Sequence, residues 1–250
     1  MSIKTKVFAA ASALALVGGT GAMAALTSGT ANAATPSCGD SCVELFVQQL
    51  STHKNADFLL DVYKRGQNVG QPVILFQASN SDPALDWTIS DEGTVAEFYA
   101  AGLVSSALAL HYGCVPGAPP AGDFPTCSTG SENDNAFEIE YAPYGADTGL
   151  CMGTAVTAGN NTPVTLQSCG VSSKTVWVVD SNEEIDKGHY VPLINGSDNN
   201  FSEPYVLTYP ANGYPTDEPR PQLITDQLQG FSNGSLDENQ VWSMNHGEVF

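Results

Sequence analysis

Glu138 and Glu140 have the spacing that most readily suggests chemistry. Carboxylates two apart on a strand project from one face. A pair held about 5 to 10 Å apart across a cleft can hydrolyse a glycosidic bond. Residues 137–141 (FEIEY) alternate apolar and acidic side chains, so the ordinary expectation for this pair is a solvated strand face. A Ser/His/Asp triad can be assembled on paper from the 4 histidines and many serines and aspartates. No G-x-S-x-G elbow is present to display a serine, however. Metal chemistry has as little footing. Cys38-Gly-Asp-Ser-Cys42 is half of a zinc site with no second pair, and none of His53, His111, His189 or His246 has a ligand neighbour. Residues 180–186 (DSNEEID) and 196–200 (GSDNN) are oxygen-rich but lack the order of an EF-hand loop. The expectation is a chain with no catalytic residue, metal or cofactor, and so not an enzyme.

The composition narrows the partners. Among 250 residues there are 8 Lys+Arg against 27 Asp+Glu, a formal net charge of −19. Such an excess repels phosphate backbones and anionic lipid heads, which argues against nucleic-acid and membrane-surface binding. A content of 42% hydrophobic residues is too high for a disordered chain. Lys4 and Lys6 precede the short apolar segment 7–17 (VFAAASALALV), and Ala31-Asn32-Ala33 supplies an A-x-A cleavage site. About eleven apolar residues span only about half of a ~30 Å hydrocarbon layer. Residues 1–33 therefore read as a bacterial-type signal peptide. The mature protein is expected to be secreted, extracellular and monomeric, without membrane insertion.

Export changes the meaning of the six cysteines. An even number in an oxidising compartment favours disulfides. Pairing by sequence neighbours, the simplest arrangement, joins Cys38 to Cys42, Cys114 to Cys127 and Cys151 to Cys169.

The elements that must position all of these residues read as strands. Short runs rich in β-branched and aromatic residues recur between Gly, Pro, Asn, Asp and Ser clusters, as at 58–63, 72–77, 94–99, 137–144, 164–167, 176–179, 205–209 and 241–244. Residues 103–112 (LVSSALALHY) suit a buried helix or a strand; the bracketing Gly102 and Gly113 favour a strand. The expected class is all-β, a sandwich or barrel.

Internal repetition is more specific. Three stretches share an apolar strand, a Gly-containing turn, a second strand with a polar loop after it, and then a Trp closely followed by an apolar or β-branched residue. They lie at about 43–90, 137–180 and 188–244, with an insertion at about 91–136 and a leading segment 34–42 that carries Cys38 and Cys42. The stretch from Cys151 to Trp177 looks like a unit of C-L-D-V, then V-x-L-x-x-C, then Q-x-W, with Cys151-Met-Gly-Thr154, Val164-Thr-Leu-Gln-Ser-Cys169 and Thr175-Val-Trp177 in those places, and Gln240-Val241-Trp242 is a literal Q-x-W. On these residues the chain resembles the ricin-B-type lectin family. The resemblance implies that residues 43–250 form one β-trefoil of three unequal repeats with inserted loops, and that Trp87, Trp177 and Trp242 are core residues. It also implies a secreted, non-catalytic module that binds carbohydrate.

In that family an Asp on the second strand holds sugar hydroxyls, an aromatic on the third stacks on the ring, and an Asn-Gln pair precedes the Trp. Carboxylates and amides satisfy hydroxyls, while a ring covers the C–H face. Carried over, the first repeat offers Asp61 and Phe76 but has Ala84 and Leu85 at the amide pair. The second has Gly153, Gln167, Lys174 and Thr175. The third keeps Asn239 and Gln240 but has Thr208 and Ile224 at the other positions. Asp61, Phe76, Asn239 and Gln240 are thus the candidate ligand residues for a glycan or polysaccharide. Asp61 reads equally as a solvated carboxylate beside a turn, Phe76 as core, and Asn239 and Gln240 as braces to the backbone. A trefoil of the protein-interaction or protease-inhibitor type, acting through its inserted loops, is the alternative.

Overall fold

Most strand-length runs punctuated by turn residues become strands. The computed structural model describes residues 43–47, 58–77, 86–112, 135–179, 190–199, 203–210, 221–229 and 237–245. The leader 1–33, the segment 34–42, and Cys114 and Cys127 with their loop lie outside the described residues. The strands are β1 (Glu44–Val47), β2 (Phe58–Val62), β3 (Val73–Gln77), β4 (Trp87–Thr94), β5 (Asn135–Tyr141), β6 (Leu150–Thr154), β7 (Thr162–Ser168) and β8 (Val176–Val179). They continue with β9 (Leu193–Asn195), β10 (Tyr205–Thr208), β11 (Ile224–Gln227) and β12 (Trp242–Asn245). Among the described residues two short α-helices interrupt them, α1 (Val95–Ala100) and α2 (Ser106–His111).

The pairings close on themselves. A seven-strand barrel runs β5-β6-β7-β11-β10-β9-β8 and returns to β5. A second ring has six members. The β1–β12, β9–β8, β8–β5 and β5–β4 ladders are joined by the bridges Val191↔Trp242 and Val43↔Trp87. The hairpins β2–β3, β6–β7 and β10–β11 also meet pairwise, through Pro72↔Thr165, Ile74↔Gln222 and the β7–β11 ladder. Closure satisfies backbone groups that a free sheet edge would expose.

The same contact is made three times inside this frame. Trp87 Nε1 donates to the Leu60 carbonyl at 3.2 Å, Trp177 Nε1 to Met152 at 3.0 Å and Trp242 Nε1 to Leu207 at 2.9 Å. Each acceptor is the third residue of β2, β6 or β10. All three indoles are fully buried in one apolar core, with Leu45, Leu60, Leu75, Ile139, Leu166 and Leu193 among their companions. A buried indole N–H needs an acceptor, and a main-chain carbonyl supplies it without adding a polar side chain to the core.

A second core lies on the outer side of the wall. Along β8, Trp177 and Val179 face the central core, while Val176 and Val178 face outward, following the period of two. The outward pair, with Ala136, Ile194 and Val206, packs against Val95 and Phe98 of α1 and Leu108 and Ala109 of α2. Two expectations are corrected here. Residues 94–99 do not form a strand beyond Thr94; the chain turns helical because Thr94 and Glu97 make a capping box, Thr94 N donating to Glu97 Oε2 at 2.9 Å. Residues 103–112 are not a strand either. Ser105 caps α2, its hydroxyl accepting from Leu108 N at 3.1 Å, and Ser105 N donates to the Gly196 carbonyl at 2.7 Å. The protein is therefore mostly β with a small helical insertion, and this part of the insertion is packed on the barrel. The Cys151–Cys169 disulfide forms as the neighbour pairing expects, tying the start of β6 to the end of β7.

Candidate functional site

The strand registers decide which residues share a face. Leu60 pairs with Leu75, Met152 with Leu166 and Leu207 with Thr225. Asp61, Gly153 and Thr208 follow the three indole acceptors, and Phe76, Gln167 and Asp226 occupy one equivalent position on the neighbouring strand. The third of these differs from the expectation. Ile224 lies opposite Thr208, where Ile74 lies opposite Asp61, so Asp226 stands at the aromatic position.

In the first unit Asp61 lies opposite Ile74 and Phe76 opposite Leu59, so Asp61 and Phe76 are diagonal neighbours on the outward face of the β2–β3 hairpin. This face is covered. Leu59 is 5% exposed, Asp61 3% and Ile74 2%, and Phe76 is half-buried. Asp61 is thus not a solvated carboxylate beside a turn.

The second unit is closed by its backbone. A Cβ on Gly153 would lie 2.6 Å from the Lys174 carbonyl oxygen, so the family's Asp does not fit without moving that chain. Gln167 Nε2 bonds Thr165 Oγ1 at 2.7 Å on the same face.

In the third unit the amide pair serves the protein. Asn239 Nδ2 donates to the Tyr209 carbonyl at 2.8 Å. Gln240 is 2% exposed; its Nε2 donates to Thr208 Oγ1 at 3.0 Å and to the Gln227 carbonyl at 2.9 Å, and its Oε1 accepts from Gln229 N at 2.7 Å. Those three bonds use both amide donors and one acceptor position. The bracing role is the one this geometry displays.

Glu138 and Glu140 depart from the solvated face expected of them, at 2% and 7% exposure. The Glu138 carboxylate accepts from Gly170 N at 3.0 and 2.9 Å and from the Thr175 hydroxyl. Glu140 Oε1 accepts from Gly149 N. They tie the outer wall of β5 to the turns at 149 and 170, an arrangement that needs no cleft between them.

Burial pushes the Glu140 carboxyl above its ordinary 4.5, opposed by the Gly149 N–H and reinforced by repulsion from Asp147. The folded protein keeps a proton there that the unfolded chain has already released. Above pH 4.5, stability therefore falls as pH rises through the folded value. Glu140→Gln keeps an acceptor for Gly149 and removes the ionisation. Urea unfolding at a series of pH values should show the variant gaining on the parent as pH rises from 4.5, then holding a constant lead. A difference that does not change with pH contradicts this.

The described concavity of interest lies elsewhere. A cavity of about 490 Å³ opens between the turn after β2, at Gln67, and the β5–β6 turn, at Tyr144, Asp147 and Thr148. Tyr144 is 61% exposed. None of these residues stood out in the sequence; the only signal was an aromatic inside the turn Pro143-Tyr144-Gly145. Among the described residues, no group of three or more His, Cys, Asp or Glu could hold a metal ion, and no helix is long and apolar enough to cross a membrane.

No protein-family model and no curated protein matches the chain. Among solved structures, it is similar to ThreeFoil, a designed 3-fold symmetric protein, at TM-score 0.46 and 12% identity over 81% of this chain and 96% of that one. It is also similar to a mosquitocidal holotoxin, at TM-score 0.46 and 11% identity over 82% of this chain, which spans only 17% of the toxin. A Caenorhabditis elegans protein of unknown function aligns at TM-score 0.42 and 10% identity, over 83% of this chain and 94% of that one.

Proposed function

We propose that the chain is a secreted, non-catalytic β-trefoil of the ricin-B type whose function is to bind carbohydrate. The observation that carries this reading is the contact made three times over, from an indole N–H on or beside a unit's last strand to the carbonyl of the third residue of its second strand. Trp177 and Trp242 are the tryptophans of the two segments that resemble the family's motif. Three four-strand units around a common axis account for both the six-member ring and the triangle of hairpins, since one unit alone cannot cover its own apolar face.

Charge supports the ligand class. A chain of net charge −19 disfavours phosphate and anionic lipid, whereas neutral glycans meet no such penalty. The reading in which inserted loops capture a protein partner is less well supported, because α1 and α2 are occupied in covering the barrel wall. A broad glycan array, with pull-down on insoluble polysaccharides, tests the proposal. Retention by at least one neutral glycan class is expected. Signal no higher than that of the unfolded chain across every class would overturn it.

A further inference from the structure

Of the residues that the family resemblance assigns to sugar, Asp61 is covered, Phe76 is half-buried, and Asn239 and Gln240 are bonded to the protein, yet an aromatic ring stands in water at the mouth of a cavity. Tyr144 is held at φ +60°, a left-handed conformation that costs a residue with a Cβ roughly 1 kcal/mol. The turn around it is fixed by its own bonds. Tyr144 N donates to Asp86 Oδ2 at 3.1 Å, Gly145 N to the Ala142 carbonyl at 2.8 Å, and Thr148 Oγ1 to the Tyr141 carbonyl at 2.6 Å. This bonded turn, with its left-handed residue, displays a phenol ring that is 61% exposed. Beside it, Asp147 brings a carboxylate, one oxygen of which the Thr88 hydroxyl reaches at 3.4 Å, and across the cavity Gln67 brings an amide.

From this geometry we infer that the cavity between Gln67 and the 143–148 turn is a binding site for a neutral hexose ring. The inference rests on the carbohydrate-binding reading and gives it a location. The C–H face of the sugar packs on Tyr144, while Asp147 and Gln67 satisfy its hydroxyls, a division that suits a ring with one apolar face. About 490 Å³ lies within the range of small-molecule sites. Asp147 at the rim and Asp86 beneath the turn exclude uronic acids by like-charge repulsion. Rigidity acts in the same direction, since a turn already fixed loses little freedom on binding.

The test is a titration of the ¹⁵N-labelled full chain with galactose, glucose, mannose and N-acetylglucosamine, with glucuronic acid as the anionic control. At least one neutral sugar should give saturable shifts concentrated at residues 144–148 and at Gln67, and glucuronic acid should bind at least tenfold more weakly. Tyr144→Phe should retain affinity within about threefold. Tyr144→Gly, which suits the left-handed backbone but removes the ring, should lose at least tenfold with an unchanged melting temperature. Saturable shifts elsewhere that survive Tyr144→Gly would overturn the site while leaving a carbohydrate-binding protein. Silence toward these sugars alongside a positive glycan array would also overturn the site alone. Silence in both experiments would remove the site and the functional reading together.

Discussion

Trp177→Ala is expected to lower the free energy of unfolding by about 4 to 8 kcal/mol. Truncating a buried Trp to Ala costs about 3 to 5 kcal/mol through lost burial and the cavity left behind. The Met152 carbonyl, which the indole N–H meets at 3.0 Å, is then stripped of that partner inside a dry core, for about 1 to 3 kcal/mol more. Against a total of roughly 5 to 15 kcal/mol, such a loss removes from about a quarter to all of the stability. Trp177→Phe separates the two contributions, since it keeps most of the apolar volume and removes only the donor. Its cost should be about 1 to 3 kcal/mol, measured as a shift of the urea midpoint at constant slope. If the three contacts are equivalent, Trp87→Phe and Trp242→Phe cost similar amounts. A variant costing less than about 0.5 kcal/mol would show that its indole is not part of the common core.

The second large effect discriminates between helix and strand in the insertion. On a strand, Leu108 and Leu110 would face the same side. On α2 they point in nearly opposite directions, and Leu108 is fully buried while Leu110 is 59% exposed. Leu108→Ala is therefore expected to cost about 2 to 5 kcal/mol, and Leu110→Ala to stay within about 0.5 kcal/mol of the parent. Leu108 packs in the cluster that holds Val176, Val178, Ile194 and Val206 on the outer wall, so its loss loosens the insertion from the barrel. Thermal unfolding with dye binding reads both outcomes. Equal costs at the two leucines would refute the helix.

That pair shows where the sequence was silent and where it was misread. Residues 103–112 carry two apolar faces whose period is ambiguous over so short a run, and the choice was made by Ser105, which finds both Leu108 N and the Gly196 carbonyl. The Gly196 contact is separated by far too many residues to be read locally. By contrast, Thr94-Val-Ala-Glu97 is a capping box that can be seen in the sequence, and the β-branched Thr and Val beside aromatic Phe98 and Tyr99 obscured it. The three tryptophans and the strands that flank them were legible because turn residues and burial patterning agree there. Glu138 and Glu140 were not. Alternation in FEIEY fixes which residues share a face but says nothing of what later covers it, and the Gly149 and Gly170 N–H groups that accept burial of these carboxylates come from turns beyond β5 and beyond β7.

The candidate site was legible to a similar depth. Asp61 and Phe76 do share one hairpin face, as two residues on paired strands at that register must. Burial of Asp61, the close approach of the Lys174 carbonyl to Gly153, and the full engagement of Gln240 arise from chain segments that no local motif specifies. Ile224 was displaced from the aromatic position because the strand after 221 is short and its register is set by pairing with β10 rather than by its own pattern. Tyr144 escaped notice because the run 137–144 reads as one strand, whereas β5 ends at Tyr141 and Pro143-Tyr144-Gly145 turns away from it.

Hydrogen exchange of the three indole N–H groups, followed by NMR in the folded full chain, probes the shared interior most directly. Each proton is buried and bonded to a strand carbonyl, so exchange requires opening of the whole ring. All three should exchange slowly, with opening free energies that agree within about 1 kcal/mol and approach that of global unfolding. One indole exchanging at the rate of an exposed side chain, or three widely different opening energies, would contradict a common axis.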